Sequence, residues 1–513
     1  MAFDRILEEF EERKKKTLAQ GGPEKIKRQH GKGWLTARER IDRLLDPDTF
    51  MEFGAFCTSD WPGMAEKTPA DSLICGYGYI NERRVAVIAN DFTVLASTNA
   101  PVNLKKQVLF RAQVRRYGIP LIWLGEAGGA RMPDVQGAKS IMACGAGSDM
   151  LWAEYTHFRE SPLIMAAFGE CYGVADFVAC SADFVVQVKG SAICVSGPRA
   201  LSKAIGQAHA PEEMGGWEVH AKITGMNDLV AEDEDHCFHL IRQLLDYLPA
   251  NGRELPPRRP VPAGTEERIS RILDVFPENR RQAYDMHRII ECLVDGGDYL
   301  ELKPAFGKML ITCLARINGE VVGLVASNPM HNAGATDTDA LDKQTGFLCL
   351  CDSYNIPLIF LVDTPGHLTG KEAEMKRVGA RVVNNLQALF QVTVPKIVVI
   401  LRKGYGQALI NMAALGAGCD FLVAWPTAEI SFMDPYIGAE VVFGNLPEEE
   451  KKRRTKELVD DVSAYCAAQT YGVQDVVHPL ETRSYLIKVL GLIRESATRG
   501  IGEHKLANWP TKF

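Results

Sequence analysis

No run in the 513 residues is long and apolar enough to cross a bilayer. The opening MAFDRILEEFEERKKK carries acidic residues early and lacks an apolar core segment, so it reads as neither signal nor transit peptide. Its mixed charges suit a solvated helix over residues 4–20. An excess of one charge sign is also missing. Net charge is −7 with both signs spread along the chain, which argues against a nucleic-acid binder and leaves room only for a local basic pocket. Metal-type spacing is absent: no His/Cys/Asp/Glu set has zinc or EF-hand intervals. Thirteen cysteines, an odd and scattered number, point to reduced thiols and a cytoplasmic setting. The closest pair, Cys349 and Cys351, lies in an apolar segment read as helix. Residues two apart on a helix do not face each other, so the pair reads as core. There is no G-x-G-x-x-G in strand–helix context, no Walker loop and no G-x-S-x-G elbow.

What the chain does contain is one long repeat. Ile119-Pro-Leu-Ile-Trp-Leu-Gly-Glu126 returns as Ile356-Pro-Leu-Ile-Phe-Leu-Val-Asp363, an offset of 363 − 126 = 237. Tyr79-Ile-Asn81, Asp183-Phe-Val185 and 193–198 recur at the same offset. Gly169-Glu-Cys-Tyr-Gly-Val-Ala175 aligns with Arg402-Lys-Gly-Tyr-Gly-Gln-Ala408 at 406 − 173 = 233, so one half carries a small indel. A period this long, used twice, reads as two homologous domains, 1–250 and 266–513. The proline-rich stretch 251–265 reads as the linker.

Each half reads as α/β. In the first, Thr36 caps a helix ending at Asp46-Pro47, apolar runs 72–79 and 85–90 flank an Asn81-Glu82 hairpin, and a long helix covers 102–117. Buried strands follow at 121–124 and 163–168. The second half repeats the order: helix near 283–294, strands at 309–317 and 321–327, helix at 339–354, strand at 359–362. Helices at 448–458, 463–469 and 484–496 close the chain. Continuously apolar strands separated by helices imply a parallel sheet covered on both faces.

The stretch 162–198 organises the chemistry. Gly169 and Gly173 are read as the turn between strand 163–168 and a helix starting at Val174. Glycines there let backbone N–H groups approach a ligand, which suits a developing oxyanion. Strand 121–124 leads into Gly128-Gly129-Ala130-Arg131, where Arg131 reads either as a bidentate contact for a phosphate or carboxylate or as a solvated side chain. Strand 359–362 leads into Asp363-Thr-Pro-Gly366, so each half has two glycine loops at adjacent strand ends. His367, next to Gly366, reads either as lining the site or, by default, as a surface histidine.

Leu35-Thr-Ala-Arg-Glu-Arg-Ile41, Asn90-Asp-Phe-Thr-Val94, Gly128-Gly-Ala-Arg131, Gly379-Ala380 and Trp425-Pro-Thr-Ala-Glu-Ile430 together resemble the carboxyltransferase (beta) subunit of biotin-dependent acyl-CoA carboxylases, from about Leu35 onward. The resemblance implies two crotonase-like (ClpP-like) domains in tandem. It also implies a hexamer, a trimer of dimers, with each site between the N domain of one subunit and the C domain of its partner. In that family an acyl-CoA thioester enolate sits in one backbone oxyanion hole and the biotin ureido oxygen in another. By position these map to Gly173-Val174 and to Gln407-Ala408, next to Gly406. The chain lacks an AMKM-type biotinylation site, so the resemblance requires a biotin carboxylase or carrier partner to supply biotin.

Several positions depart from the family pattern. Val174 and Gln407 stand where the second glycine of each loop is usual. Glu126 and Ala127 precede Gly128, Glu170 replaces a small residue, and Asp434 replaces glycine. Ile410 stands where relatives carry a residue, often aspartate, that influences the acyl chain. Crotonase-type enzymes use glutamates as acid/base beside the same oxyanion hole. Glu126 and Glu170 therefore support an alternative, a biotin-independent acyl-CoA decarboxylase, hydratase or hydrolase. Both also read as ordinary ion-pair members, and a non-catalytic CoA-ester-binding subunit is the third reading.

Overall fold

The computed structural model describes residues 2–144, 159–414, 416–494 and 503–509. The chain divides into two units, Met1–Asp246 and Tyr247–Phe513. The proline-rich stretch 251–265 falls within the second. Asn355 ties it down there, its Nδ2 donating to the carbonyls of Gly252 at 2.7 Å and Glu254 at 3.0 Å.

In the first unit the strands are β1 (Met51–Phe53), β2 (Leu73–Ile80), β3 (Arg83–Asn90), β4 (Leu121–Gly128), β5 (Leu163–Tyr172), β6 (Phe184–Val188), β7 (Ala192–Cys194) and β8 (Leu229–Ala231). Their order is β1-β2-β3-β4-β5-β6-β8, with β7 paired to β5. Only β1–β2 and β2–β3 are antiparallel. The β2–β3 turn is Asn81-Glu82, with φ of 48° and 64°, the left-handed pair that a tight two-residue hairpin needs. Thr36 heads the helix Ala37–Leu44 in a full capping box. Its Oγ1 accepts from Glu39 N, and Glu39 Oε2 accepts from Thr36 N at 2.7 Å.

The second unit repeats the plan with β9 (Tyr299–Leu302), β10 (Leu310–Ile317), β11 (Glu320–Ser327), β12 (Leu358–Thr364), β13 (Lys396–Tyr405), β14 (Phe421–Ala424), β15 (Glu429–Ser431) and β16 (Asp475–Val476). Its order is β16-β14-β13-β12-β11-β10-β9, with β15 on β13. Two α/β sheets of eight strands each, in tandem, make the crotonase-like architecture. The repeat is visible element by element. β3 and β11 start at 83 and 320, β4 and β12 at 121 and 358, β6 and β14 at 184 and 421, each 237 apart, while β5 and β13 are 396 − 163 = 233 apart. The second unit is thus four residues shorter before β13. It regains them between the short helix Gly406–Asn411 and β14.

Buried lysines recur at the same offset, 343 − 106 = 237. Lys106 Nζ donates to the carbonyls of Gly54, Ala70 and Leu73, and Lys343 Nζ to those of Phe306 (3.1 Å) and Leu310 (2.8 Å). Burial pushes Lys343 down to about 8. Cys349 and Cys351 are fully buried in the helix Thr338–Ser353.

Two strands run further than their apolar runs suggest. β4 continues to Gly128 and β5 to Tyr172, through a register shift between Gly125 and Ala127. Gly169 is therefore not the turn but a residue inside β5, with φ 44°. The helix expected near 283–294 spans Met286–Leu293, capped by Asp285. The helix expected at 484–496 is Thr482–Ile493, and residues 495 and 496 lie outside the described residues. Among the described residues no helix is long and apolar enough to cross a membrane.

His287, beside that cap, carries a pH signature. Its Nε2 is 3.1 Å from Glu301 Oε2 and its Nδ1 2.7 Å from Asp285 Oδ1. The Glu301 bond, with Asp285, raises it to about 9 against the cost of burial. A raised pKa stabilises the fold fully below the unfolded value near ~6.5, and the gain is lost as pH rises through about 9. The stability difference between wild type and His287→Gln, read by urea unfolding, is expected to be flat below pH ~6.5 and to vanish above about pH 9. A difference that grows with pH contradicts this.

Candidate active site

The first unit brings its two glycine loops together. A Cβ on Gly173 would sit 3.4 Å from Gly129 Cα, and Gly173 itself has φ 64° and ψ −114°, a region reserved for glycine. The helix Val174–Ser181 starts at once. Val174 is helical and absent from the positive-φ residues, so its β-branch costs nothing and no second glycine is needed. The Gly173 N–H donates to the Cys194 carbonyl at 3.2 Å. The N–H groups of Val174, Ala175, Gly129 and Ala130 have no hydrogen-bond partner among the described residues. The open donors of this joint are thus Val174 and the facing loop, and Gly173 supplies the bend.

Glu126 is placed otherwise than an acid/base role requires. It is 1% exposed. Its Oε2 receives Arg40 Nη1 at 2.6 Å and Gln29 Nε2 at 2.7 Å. Arg40 also donates from Nε to Glu234 at 2.7 Å and lies 4.1 Å over the Phe168 ring. Gly169 explains the fit: a Cβ there would come 2.4 Å from Glu126 Oε1. Burial works against the Arg40 charge, but Glu126 and Glu234 outweigh it and hold the guanidinium above its ordinary value. Glu170 has a different setting, half-exposed with Lys32 3.9 Å away. The two glutamates are not a matched pair. Glu126→Gln is expected to keep turnover per folded molecule within about threefold while costing about 1–3 kcal/mol of stability. Abolished turnover in a folded variant would restore Glu126 to the chemistry.

Arg131 is likewise internal. It is 4% exposed, pairs with Asp71 at 2.7 Å and Asp134 at 3.4 Å, and donates to the Thr98 carbonyl. It braces the Gly128-Gly129-Ala130 loop and has no face left for a phosphate. Asp176 went unmarked in the sequence. It sits in the first helical turn after Val174, is 5% exposed, and burial pushes its carboxyl up. It has no hydrogen bond or ion pair among the described residues.

In the second unit Gly406 opens the helix Gly406–Asn411 with φ 54°, and a Cβ there would lie 2.7 Å from the Phe432 carbonyl oxygen. Gln407 and Ala408 N–H groups have no partner among the described residues, and neither residue has positive φ. Ile410 is half-buried on the same helix. Gly366 has φ 138°, with open space where a Cβ would stand. His367 next to it is half-buried rather than on the surface, and burial pushes it down against its bond to Asn411. Asp434 caps the helix Pro435–Phe443 by accepting from Tyr436 N and Ile437 N, and pairs with Arg280 at 3.1 Å. Arg280 also binds Glu429 at 2.6 Å and donates to the Tyr405 hydroxyl at 3.1 Å. Asp434 therefore frames the Gly406 turn from behind.

A model of the carboxyl transferase domain matches residues 28–504. The chain belongs to the carboxyl transferase domain family. It is 33% identical to the propionyl-CoA carboxylase beta chain of Roseobacter denitrificans, over 96% of this chain and 97% of that one. It is 32% identical to the methylmalonyl-CoA decarboxylase subunit alpha of Propionigenium modestum, over 95% of each. Among solved structures, the transcarboxylase 12S hexamer with methylmalonyl-coenzyme A and methylmalonic acid bound has a TM-score of 0.89 at 32% identity, covering 96% of each chain.

Within this carboxyl transferase chain the repeat held the signal for the Arg40 network. Glu126 and Asp363 are 237 apart, and Asp363 pairs with Arg402 at 2.9 Å. Arg402 is the repeat partner of Gly169, at 402 − 169 = 233. Where one unit supplies a cation from β13, the other leaves a glycine and brings Arg40 from the capped helix. The Leu35–Ile41 motif was visible as a family mark, but its partner was not.

Proposed function

We propose that this chain moves a carboxyl group between biotin carried on a partner polypeptide and the α-carbon of an acyl-CoA thioester. The observation that supports it most directly is the pair of strand–turn–helix joints, one per unit, each with unpartnered main-chain N–H groups: Val174 with Gly129 and Ala130, and Gln407 with Ala408. Donors fixed by the fold stabilise a developing oxyanion without reorganising, and losing one typically costs ~3 kcal/mol. The first joint would hold the thioester enolate. The second fits the biotin ureido oxygen, because Gly366 leaves its surroundings open and no side chain caps the donors. Biotin, when bound, supplies the carrier for the carboxyl group. Ile410, on the helix of the second joint, stands at the position that the family resemblance links to acyl-chain choice, and an apolar residue there favours an apolar acyl chain. A biotin carboxylase or carrier subunit is the partner this requires. A hexamer, as in the transcarboxylase 12S neighbour, built as the trimer of dimers that the family resemblance implies, and a cytoplasmic setting go with the reading.

One observation favours a second reading. Asp176 is a buried carboxyl in the first helical turn, two residues after Val174, and burial pushes its pKa up. An acid there can return a proton to an enolate, as a biotin-independent acyl-CoA decarboxylase needs. The experiment is recovery of the native protein from its own cells under a streptavidin probe, followed by a transfer assay with free biotin. A stoichiometric biotinylated partner and biotin-dependent transfer are expected. Clean recovery without biotin, and decarboxylation lost in Asp176→Asn, would replace the first reading by the second.

A further inference from the structure

Behind the turn that carries Gln407 lies a set of amides and one imidazole with no counterpart among the described residues of the first unit. Gln407 Nε2 donates to Asn411 Oδ1 at 3.1 Å, and His367 Nε2 is 3.3 Å from the same oxygen. Asn411 Nδ2 donates to the Val382 carbonyl at 3.2 Å and to Asn385 Oδ1 at 2.8 Å. Asn385 Nδ2 donates onward to Thr345 Oγ1 at 3.1 Å. The Val382 carbonyl settles which way Asn411 points. A carbonyl only accepts, so nitrogen faces it and oxygen faces Gln407 and His367. His367 must then carry its proton on Nε2, and its Nδ1 accepts from Thr336 Oγ1 at 3.0 Å.

The fold does not need this network. At the repeat offsets Gln407 and Asn411 correspond to Val174 and Val178 (407 − 174 and 411 − 178 are both 233), and His367 to Ala130 (367 − 130 = 237). Val178 belongs to the first unit's apolar core cluster and Val174 packs against it. Burying polar groups costs desolvation that those residues avoid, so a network present in one unit alone points to a task. Gln407 is exposed, and its amide oxygen has no hydrogen bond among the described residues.

We propose that His367 and Asn411 are positioning residues for Gln407, holding its side-chain amide so that the oxygen accepts an N–H from the ligand docking at this turn. The inference rests on the function proposed above, in which that N–H belongs to the ureido ring of biotin. It makes Gln407 a recognition element for a cyclic urea.

The test has two arms. With the full-length protein and free biotin, Asn411→Val and the triple change to the first unit's residues (Gln407→Val, Asn411→Val, His367→Ala) are expected to raise KM for biotin about tenfold, the size of one lost hydrogen bond. KM for the acyl-CoA stays within twofold. His367→Gln keeps an N–H donor and recovers most of the biotin affinity. No change in biotin KM, or equal rises in both KM values, overturns the proposal. The second arm reads the proton itself in 15N-histidine spectra of wild type, with His367→Gln to assign the signal. A proton on Nε2 is expected, with the preference lost in Asn411→Val. A proton on Nδ1 overturns the network whatever the activity. A wild type with the Nε2 proton and no biotin-dependent transfer overturns the functional reading alone.

Discussion

Arg40→Met is expected to destabilise the first unit by about 3–5 kcal/mol, the largest stability effect of any single substitution considered in this chain. The change removes one cation from between two carboxylates. Glu126 and Glu234 both bond Arg40, and both are buried. With the guanidinium gone, each charge faces an interior that cannot solvate it, and the stacking on Phe168 goes too. The sign with pH follows. A carboxylate stranded in an apolar interior has its folded-state pKa raised, so the variant gains stability as pH falls through the carboxylate range. Arg40→Met/Glu126→Gln is expected to recover part of the loss. Glu234 then remains with the Leu35 N–H at 2.8 Å as its support. Urea unfolding of the three proteins at pH 5 and pH 8 reads all of this. A single variant within 1 kcal/mol of wild type would mean that the interior solvates those carboxylates by other means.

That network marks where sequence reading stops. The sheets were legible because their strands are continuous apolar runs and the repeat supplies each twice. Leu121–Leu124 and Ile359–Val362 could hardly be anything else. Their ends were not legible. β4 and β5 run four residues past the apolar stretch because they keep pairing through a register shift, and backbone pairing has no side-chain signature. The sequence points to the glycines that matter but not to the reason for two of them. Gly169 makes room for Glu126, and Gly173 makes the bend with its N–H already spent on Cys194. Arg131 and Glu126 looked like site residues because charge near a glycine loop suggests a ligand. The structure shows each answered by a buried opposite charge far away in sequence, Asp71 and Arg40. His367 is the converse case. A lone histidine reads as surface unless the asparagine that receives its proton, 411 − 367 = 44 residues on, is known to lie beside it.

The largest functional effect is expected at Gly406. Gly406→Ala places a methyl group 2.7 Å from the Phe432 carbonyl oxygen, at φ 54°, so the turn must shift or Phe432 must yield. Either movement carries Gln407 and Ala408 with it. Displacing one preorganised donor from an oxyanion site lowers kcat about 10²–10³-fold, and a shift of the order of 1 Å suffices. The structural cost is smaller, about 1–3 kcal/mol of local strain. The variant should therefore fold, bind acyl-CoA with near-normal KM and turn over poorly. Gly173→Ala meets a similar restriction on backbone angles but acts on the loop that faces Gly129, and is expected to impair the acyl-CoA side. Gly379→Ala is the control. It lies in the helix Val378–Gln391, with no positive φ and nothing within 4 Å of its Cβ position, so alanine there is neutral or stabilises by up to about 1 kcal/mol. If Gly406→Ala and Gly379→Ala turn over alike in steady-state assays, main-chain donors at the second joint are not what carries the reaction, and Asp176 in the first unit becomes the group to follow.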